Sequence, residues 1–203
     1  MPATTRKIAK TEKAPRRGAR VQHILGESLE CFAESGFERV TYDELIARSK
    51  VSRGSFYWYF PSKEALYEAV LDYCASGYAA RLEAQFAKTD PKDHVVKRLL
   101  DTSLADFNDN RSQYRLLLRP PPPSPQAIEK MRQWNDDSLA FLRGKLEPAV
   151  KAGKLDREMA EALPDALSAF IDGICVRLML DDESSVTKLS KNIERFLCRI
   201  VEV

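Results

Sequence analysis

Residues 41–63 read TYDELIARSKVSRGSFYWYFPSK, and within them Arg53, Ser55, Tyr57, Trp58 and Tyr59 gather a guanidinium, hydroxyls and aromatic rings in one short stretch. Such groups hydrogen-bond phosphate oxygens and base edges and pack on thymine methyls. The chemistry they point to is the gripping of duplex DNA. To act together they must share one face of a helix, and the flanking residues supply the elements that would hold it. Thr41 with Glu44 three residues on is a capping box that opens a first helix, in which Leu45 and Ile46 face inward. Ser49, Lys50 and Val51 interrupt its periodicity. Ser52 is a fresh N-cap for a second helix whose Phe56 and Phe60 recur four apart. Val51, Phe56 and Phe60 are expected core anchors. The aromatic run 56–60 surrounds more than half of a helix, so part of it must leave the core. A helix-turn-helix would present that outer part to the major groove.

The match to a known family lies in the same stretch. From Arg20 to about Val70, through ILGESLECFAESGFERVTYDELIARSKVSRGSFYWYFPSKEALYEAV, the chain resembles the tetracycline-repressor (TetR) family of one-component regulators. A helix ending in FAESGF, a Thr-capped helix, VSRGSFYWYF and PSKEAL follow one another in that family's order and spacing. The resemblance implies that Thr41 and Tyr57 clamp phosphates and that Lys63, opening the fourth helix, holds the DNA backbone. It also implies that Arg53, Gly54, Ser55, Trp58 and Tyr59 approach bases or adjacent phosphates, and Ser52, which caps their helix, is counted with them. Gly54 has no side chain to keep the helix away from the duplex. Where the family usually carries Ala-Gly before Val-Ser, this chain has Ser49-Lys50. If the turn keeps a left-handed residue there, Lys50 bears a strain of about 1 kcal/mol relative to glycine. The alternative is a rearranged turn, and in either case Lys50 is a further candidate phosphate contact.

The 203 residues are 44% hydrophobic, enough to bury a substantial core, and no alternating strand pattern or internal repeat is evident. An all-α protein is expected: an N-terminal three-helix helix-turn-helix DNA-binding domain followed by a C-terminal helical ligand-binding and dimerisation domain. Net charge is +2, but the segment before Val21 holds seven basic residues against Glu12 alone. Residues 1–19 are therefore expected to be a disordered basic arm drawn to phosphates or a minor groove. Residues 20–66 would be the DNA-binding domain and 67–203 the helical body. No secretory apolar core or membrane-length apolar run occurs, so a cytoplasmic location without a membrane partner is expected. Cys31, Cys74, Cys175 and Cys198 are too scattered for a zinc site or a disulfide framework, and Cys31 and Cys175 lie in apolar helical contexts as core thiols. No cofactor and no metal are expected. His23 and His94 stand alone, no phosphate loop or nucleophile elbow occurs, and catalysis finds no support.

Further along, helical spacing predicts a first helix from about Arg20 to Ser35, capped by Gly36. A fourth is predicted from Pro61-Ser62 to roughly Phe86 without a break. About 25 residues at 1.5 Å each make a rod of roughly 38 Å, able to carry motion from a distant pocket to the head. Asp90-Pro91 is read as the cap and first residue of a fifth helix. A sixth follows over residues 111–118, then a stiff loop at residues 120–123 and a restart at Ser124-Pro125 running to Leu146. Residues 157–180 are apolar on several faces, and ALSAFIDGICVRLMLDD resembles the family's eighth helix. With the last helix, about Ser185 to Val201, it is expected to form a four-helix dimer interface using Ala166, Ala169, Gly173, Ile193, Phe196, Leu197 and Ile200. Two heads about 34 to 36 Å apart would then read a palindrome in successive major grooves.

An inducer pocket is expected between the fifth to eighth helices at Phe107, Tyr114, Met131, Trp134, Asn135, Phe141 and Phe170, with Asn135 and Tyr114 orienting a mostly apolar ligand. The reading is thus a homodimeric transcriptional regulator, expected to repress, that binds a palindromic operator in double-stranded DNA and is released by a small-molecule effector. Two alternatives stand beside it: a helical protein-interaction module, and a thiol-based sensor using Cys74 and Cys198.

Overall fold

The computed structural model describes residues 13–122, 124–153, 155–180 and 183–200, with side chains over 18–122, 124–153, 155–180 and 187–199. All regular structure among the described residues is α-helical. In chain order the helices are α1 (Lys13–Ser35), α2 (Tyr42–Ser49), α3 (Arg53–Tyr59), α4 (Lys63–Ala75), α5 (Tyr78–Phe86), α6 (Val95–Asp109), α7 (Arg111–Leu117), α8 (Pro125–Lys151), α9 (Arg157–Leu180) and α10 (Glu183–Ile200). None of the described helices is long and apolar enough to cross a membrane. The chain folds as two compact units, one comprising residues up to Ser76 with Arg115–Lys130, the other Gly77–Tyr114 with the chain from Met131 on.

In the first unit, here called the head, α1 packs on α2 and α4. Phe32, Phe37 and Tyr67 form its aromatic centre, with ring centroids 5.1 Å apart for Phe32 and Tyr67 and 5.4 Å for Phe37 and Tyr67. Gly36 ends α1 at φ 81°, a conformation that L side chains avoid. Arg119, just past α7, donates to the carbonyls of Ala33 (2.9 Å) and Glu34 (2.9 Å) and so caps the end of α1. Arg48 on α2 reaches back to α1 with paired contacts to Glu34 of 2.7 and 3.2 Å.

Three expectations about helix limits are corrected. The first helix begins at Lys13, not near Arg20, so residues 13–19 of the expected arm are helical, while 1–12 lie outside the described residues. Pro15 falls in the first turn, where backbone N–H groups lack intrahelical acceptors, so it does not prevent this. The single rod from residue 61 to 86 is two helices of 13 and 9 residues. Ser76 is extended and Gly77 left-handed at φ 76°, so the helical path cannot continue through them. Finally, α6 starts at Val95, not at Asp90-Pro91. Asp90 instead accepts from the Lys92 N–H (2.9 Å) in a local turn, and His94 Nδ1 caps α6 by accepting from Val96 (3.2 Å).

In the second unit, the body, α6 is the central helix, packed by α5, α9 and α10. Its inner face buries Val96, Leu99, Leu100 and Phe107. Ser103 and Thr102 sit there without cost because each hydroxyl donates to the carbonyl four residues back.

Candidate nucleic-acid interface

The head is built around the turn between α2 and α3. At its start the capping box is complete: the Glu44 N–H donates to Thr41 Oγ1 (3.3 Å), and the Thr41 N–H donates to Glu44 Oε2 (2.8 Å). At its end Lys50 is left-handed, φ 54° and ψ 28°, so of the two alternatives the turn has the left-handed residue, here a lysine. His23 of α1 pins the turn, its Nε2 lying 3.0 Å from the Ser49 carbonyl. Ser52 then caps α3, accepting from the Ser55 N–H at 3.4 Å. Phe56 is fully buried and Phe60 nearly so, while Val51, expected as a third core anchor, is only half-buried at the turn.

With Phe56 held inward, the other face of α3 is turned out. Arg53, Gly54, Tyr57 and Trp58 are exposed, and Ser55 and Tyr59 half-buried. A Cβ at Gly54 would meet nothing within 4 Å, so this face is open. Trp58 is 63% exposed and meets the edge of Tyr59, with ring centroids 4.8 Å apart. Leaving that much indole in water is unfavourable unless a partner covers it. Tyr57 lies flat on Tyr42, centroids 5.0 Å apart and planes 5° apart. The Tyr42 hydroxyl in turn donates to the Phe60 carbonyl (2.9 Å). Burial, with smaller contributions from Tyr57 and Glu64, pushes the Tyr42 phenol up to about 12.

Thr41 and Lys50 are exposed beside this face, on either end of α2. Lys63 is placed differently. Its ammonium donates to the carbonyls of Phe37 (2.9 Å) and Val40 (3.1 Å) and stands 4.3 Å over the Phe37 ring. It therefore ties the start of α4 to the α1–α2 connection. Sequence reasoning missed Tyr42, Asp43 and His23, which prop the reading helix or its turn from outside it.

Of the residues expected to line a pocket, Tyr114 and Trp134 both lie against Tyr78. Phe107 and Tyr114 touch, with centroids 5.4 Å apart. Trp134 lies 4.9 Å from Tyr78, and Phe141 contacts Phe86 at 6.2 Å. Phe170 pairs instead with Phe196 at 6.4 Å, Met131 is half-buried and Asn135 is exposed. A polar cluster that the sequence did not reveal converges as well. Asp106, 1% exposed, accepts from Tyr114 Oη (2.9 Å), Arg81 Nε (3.3 Å) and Asn110 Nδ2 (3.1 Å). Arg81 also donates to Gln113 (2.9 Å), and the Tyr78 hydroxyl lies 2.8 Å from Ser138 Oγ. Burial above all, then the Tyr78 and Asp106 charges, drives the Tyr114 phenol far above its ordinary range.

On α9, Ala166, Ala169 and Gly173 are exposed, and they continue at heptad spacing into exposed Val176 and Leu180. On α10, Ile193 is half-buried, Phe196 exposed and Leu197 buried within its own chain; the Ile200 side chain lies outside the described residues. An open groove of about 580 Å³ on α10 is lined by Asn192, Arg195, Phe196 and Arg199. Cys31, Cys74 and Cys175 are buried, and burial pushes Cys175 up to about 12. Burial and then the Glu194 charge raise the half-buried Cys198.

Residues 24–70 match the model of the bacterial regulatory proteins of the tetR family. Over 100 residues the chain is 31% identical to the uncharacterized HTH-type transcriptional regulator YerO of Bacillus subtilis, covering 48% of this chain and 34% of that protein. The chain thus spans about a third of that relative's length. Among solved structures, Salmonella enterica GusR is similar with a TM-score of 0.67 at 22% identity, over 91% of this chain and 96% of GusR. SmeT, solved in complex with triclosan, is similar with a TM-score of 0.63 at 23% identity, over 86% and 89% of the two chains. These likenesses give the fold, and the match over 24–70 falls on the capped helices, the left-handed turn and the outward face described above. Residues 24–70 thus form a DNA-binding domain of the tetR family of bacterial regulatory proteins, with α2 and α3 as its helix-turn-helix.

Proposed function

We propose that the chain is a ligand-responsive transcriptional repressor that binds a palindromic operator as a homodimer and is released by a small, largely apolar effector. The observation that carries the reading is the outer face of α3, where Arg53, Tyr57 and Trp58 stand exposed on a buried Phe56 anchor. Arg53 suits a base edge and Tyr57 a phosphate. Thr41, Lys50, Ser52, Gly54, Ser55 and Tyr59 border the same surface, and Lys63 supports it from the start of α4. Residues 20–66 are assigned to reading and 67–203 to sensing and pairing, in the cytoplasm.

Pairing is assigned to the exposed apolar stripe Ala166, Ala169, Gly173, Val176 and Leu180, with Ile193 and Phe196. Small residues at heptad spacing allow a close approach to the same stripe of a second copy. Effector binding is assigned to the body near Phe107, Tyr114, Met131 and Trp134, in keeping with the triclosan bound by the similarly folded SmeT. The effector acts by preferring a body conformation in which the paired heads no longer fit their half-sites. A thiol-based sensor finds less support, because three of the four cysteines are buried and Cys198 is shifted towards the protonated form, the poorer nucleophile.

The test is selection of bound sequences from a random duplex pool by the purified protein. A pseudo-palindromic consensus with half-sites one helical turn apart is expected. A salt-sensitive background without enrichment would sink the operator reading and favour a protein partner.

A further inference from the structure

Asp43 does not belong to the set of DNA-contacting groups read from the sequence, yet it holds one of them. Its Oδ1 accepts from Arg53 NH2 at 2.5 Å. Asp43 lies in the first turn of α2 and Arg53 is the first residue of α3, so the pair bridges the two helices beside the exposed outer face of α3. Both side chains are open, 72% and 62% exposed. An exposed pair of this kind contributes little to folding, so stability does not account for it.

Its electrostatics point elsewhere. A cation at the N-terminus of a helix opposes the helix dipole, so Arg53 gains nothing from its place in α3. A carboxylate on a surface that must approach phosphates weakens that approach, so Asp43 gains nothing for simple affinity. Together they make sense in one way. An unrestrained arginine has five donors on a flexible stem, and the dense negative charge of the nearest phosphates would capture it whatever the sequence. Asp43 occupies one edge of the guanidinium and repels phosphate from its neighbourhood, leaving the remaining donors for a base edge.

We infer that Asp43 is a specificity-determining positioning residue, which presets Arg53 for base readout and keeps it from the DNA backbone. The inference rests on the operator-binding reading above. It differs from a bare DNA contact in predicting that removing a protein charge strengthens the wrong binding and weakens the discrimination.

The experiment is random-pool selection and titration on wild type, Asp43→Asn, Asp43→Glu, Arg53→Ala and the double variant Arg53→Ala with Asp43→Asn. Asp43→Asn is expected to bind random duplex about fivefold more tightly at moderate salt, with the salt slope steeper by about 1. Preference at one position of each half-site is expected to fall by about fivefold or more. Asp43→Glu, which keeps the charge, restores weak binding to random duplex. In the Arg53→Ala background the Asp43→Asn change leaves the base preferences as they were. An Asp43→Asn protein with the wild-type consensus at undiminished strength overturns the inference, as does an equal effect of Asp43→Asn with and without Arg53. Failure of wild type to select any consensus is a different result, and it removes the operator reading itself.

Discussion

Head and body use the same side chains in opposite ways. In the head, Tyr57 and Trp58 are turned out from a fully buried Phe56, and Arg53 with its Asp43 partner lies open to solvent. In the body, Tyr78, Tyr114 and Trp134 are turned in, and Arg81 sits on a carboxylate that is 1% exposed. On the outer face of α3 the exposed Tyr57 and Arg53 side chains keep donors in reserve for a partner that replaces water. In the body the same groups have spent theirs on each other, joining α5, α6, α7 and α8. The head is thus organised for recognition at little gain in stability, and the body's polar cluster for stability and for the shape of its interior. A ligand entering near Tyr114 has to compete with hydrogen bonds already made.

The largest effect that follows is on folding, from the body. Asp106→Ala removes the acceptor shared by Tyr114, Arg81 and Asn110 and leaves a buried phenol and a partly buried guanidinium without it. Such orphaned groups cost more than the bond itself, and a loss of about 3 kcal/mol is expected. Arg81 is partly open to water, which holds the figure near the lower end of that range. Urea denaturation measures it, with Trp58→Ala as the counterpart in the head. If the contrast between the units holds, Trp58→Ala keeps the wild-type midpoint and loses DNA affinity.

A sharper test is the head residue that crosses the line. Lys63 is a DNA-contacting position by resemblance, but its ammonium is bound by two carbonyls and the Phe37 ring. Lys63→Met keeps the length and loses the donors, and it should cost about 1.5 kcal/mol of stability, as charged hydrogen bonds do. An unchanged melting temperature together with a weaker grip on every DNA sequence would put Lys63 with Tyr57 and outside the fold.

Alkaline titration separates the units by the depth of their phenols. Burial raises Tyr114 far above its unfolded value of about 10, so above that pH the unfolded chain releases a proton that the folded chain keeps. Stability from this group is therefore complete below about pH 10 and falls as pH rises, by about 1.4 kcal/mol per unit. Tyr114→Phe should flatten that limb. Tyr42 in the head, raised to about 12, adds a decline confined to the window between about 10 and 12. Equal flattening by Tyr42→Phe and Tyr114→Phe at the highest pH reached would remove the distinction in depth.

The head was legible because its determinants are local. Thr41 with Glu44, Ser52, and Phe56 four residues before Phe60 declare two helices and their inner faces within twenty residues. What stayed hidden there depends on groups that leave no mark in side-chain spacing. The carbonyls of Phe37 and Val40 receive Lys63, and the pairing of Asp43 with Arg53 joins two charges that each read as solvated. In the body, helix existence was legible and connectivity was not. Asp106, Arg81 and Tyr114 are brought together from three helices, so no window of sequence contains the cluster. The false continuity of α4 and α5 has a definite cause. Leu71, Cys74, Tyr78 and Leu82 keep helical spacing across the joint, and apolar spacing does not register that Gly77 is left-handed.

The smallest effect concerns the residue where family pattern and chain disagree. Lys50 holds φ 54° in a turn fixed by its own N–H to the Ala47 carbonyl and by His23 on the Ser49 carbonyl. Glycine adopts that conformation without a Cβ penalty, so Lys50→Gly should raise the stability of the head by about 1 kcal/mol. The gain is reduced by the greater freedom of glycine in the unfolded chain, which places it at the low end of what is measurable by denaturant midpoint. If Lys50 also touches a phosphate, the same substitution lowers the salt slope of DNA binding by about 1. A stabilised protein with an unchanged slope makes Lys50 a tolerated strain and nothing more. A stabilised protein with a shallower slope shows the head giving up stability for grip, the reverse of the bargain struck around Asp106.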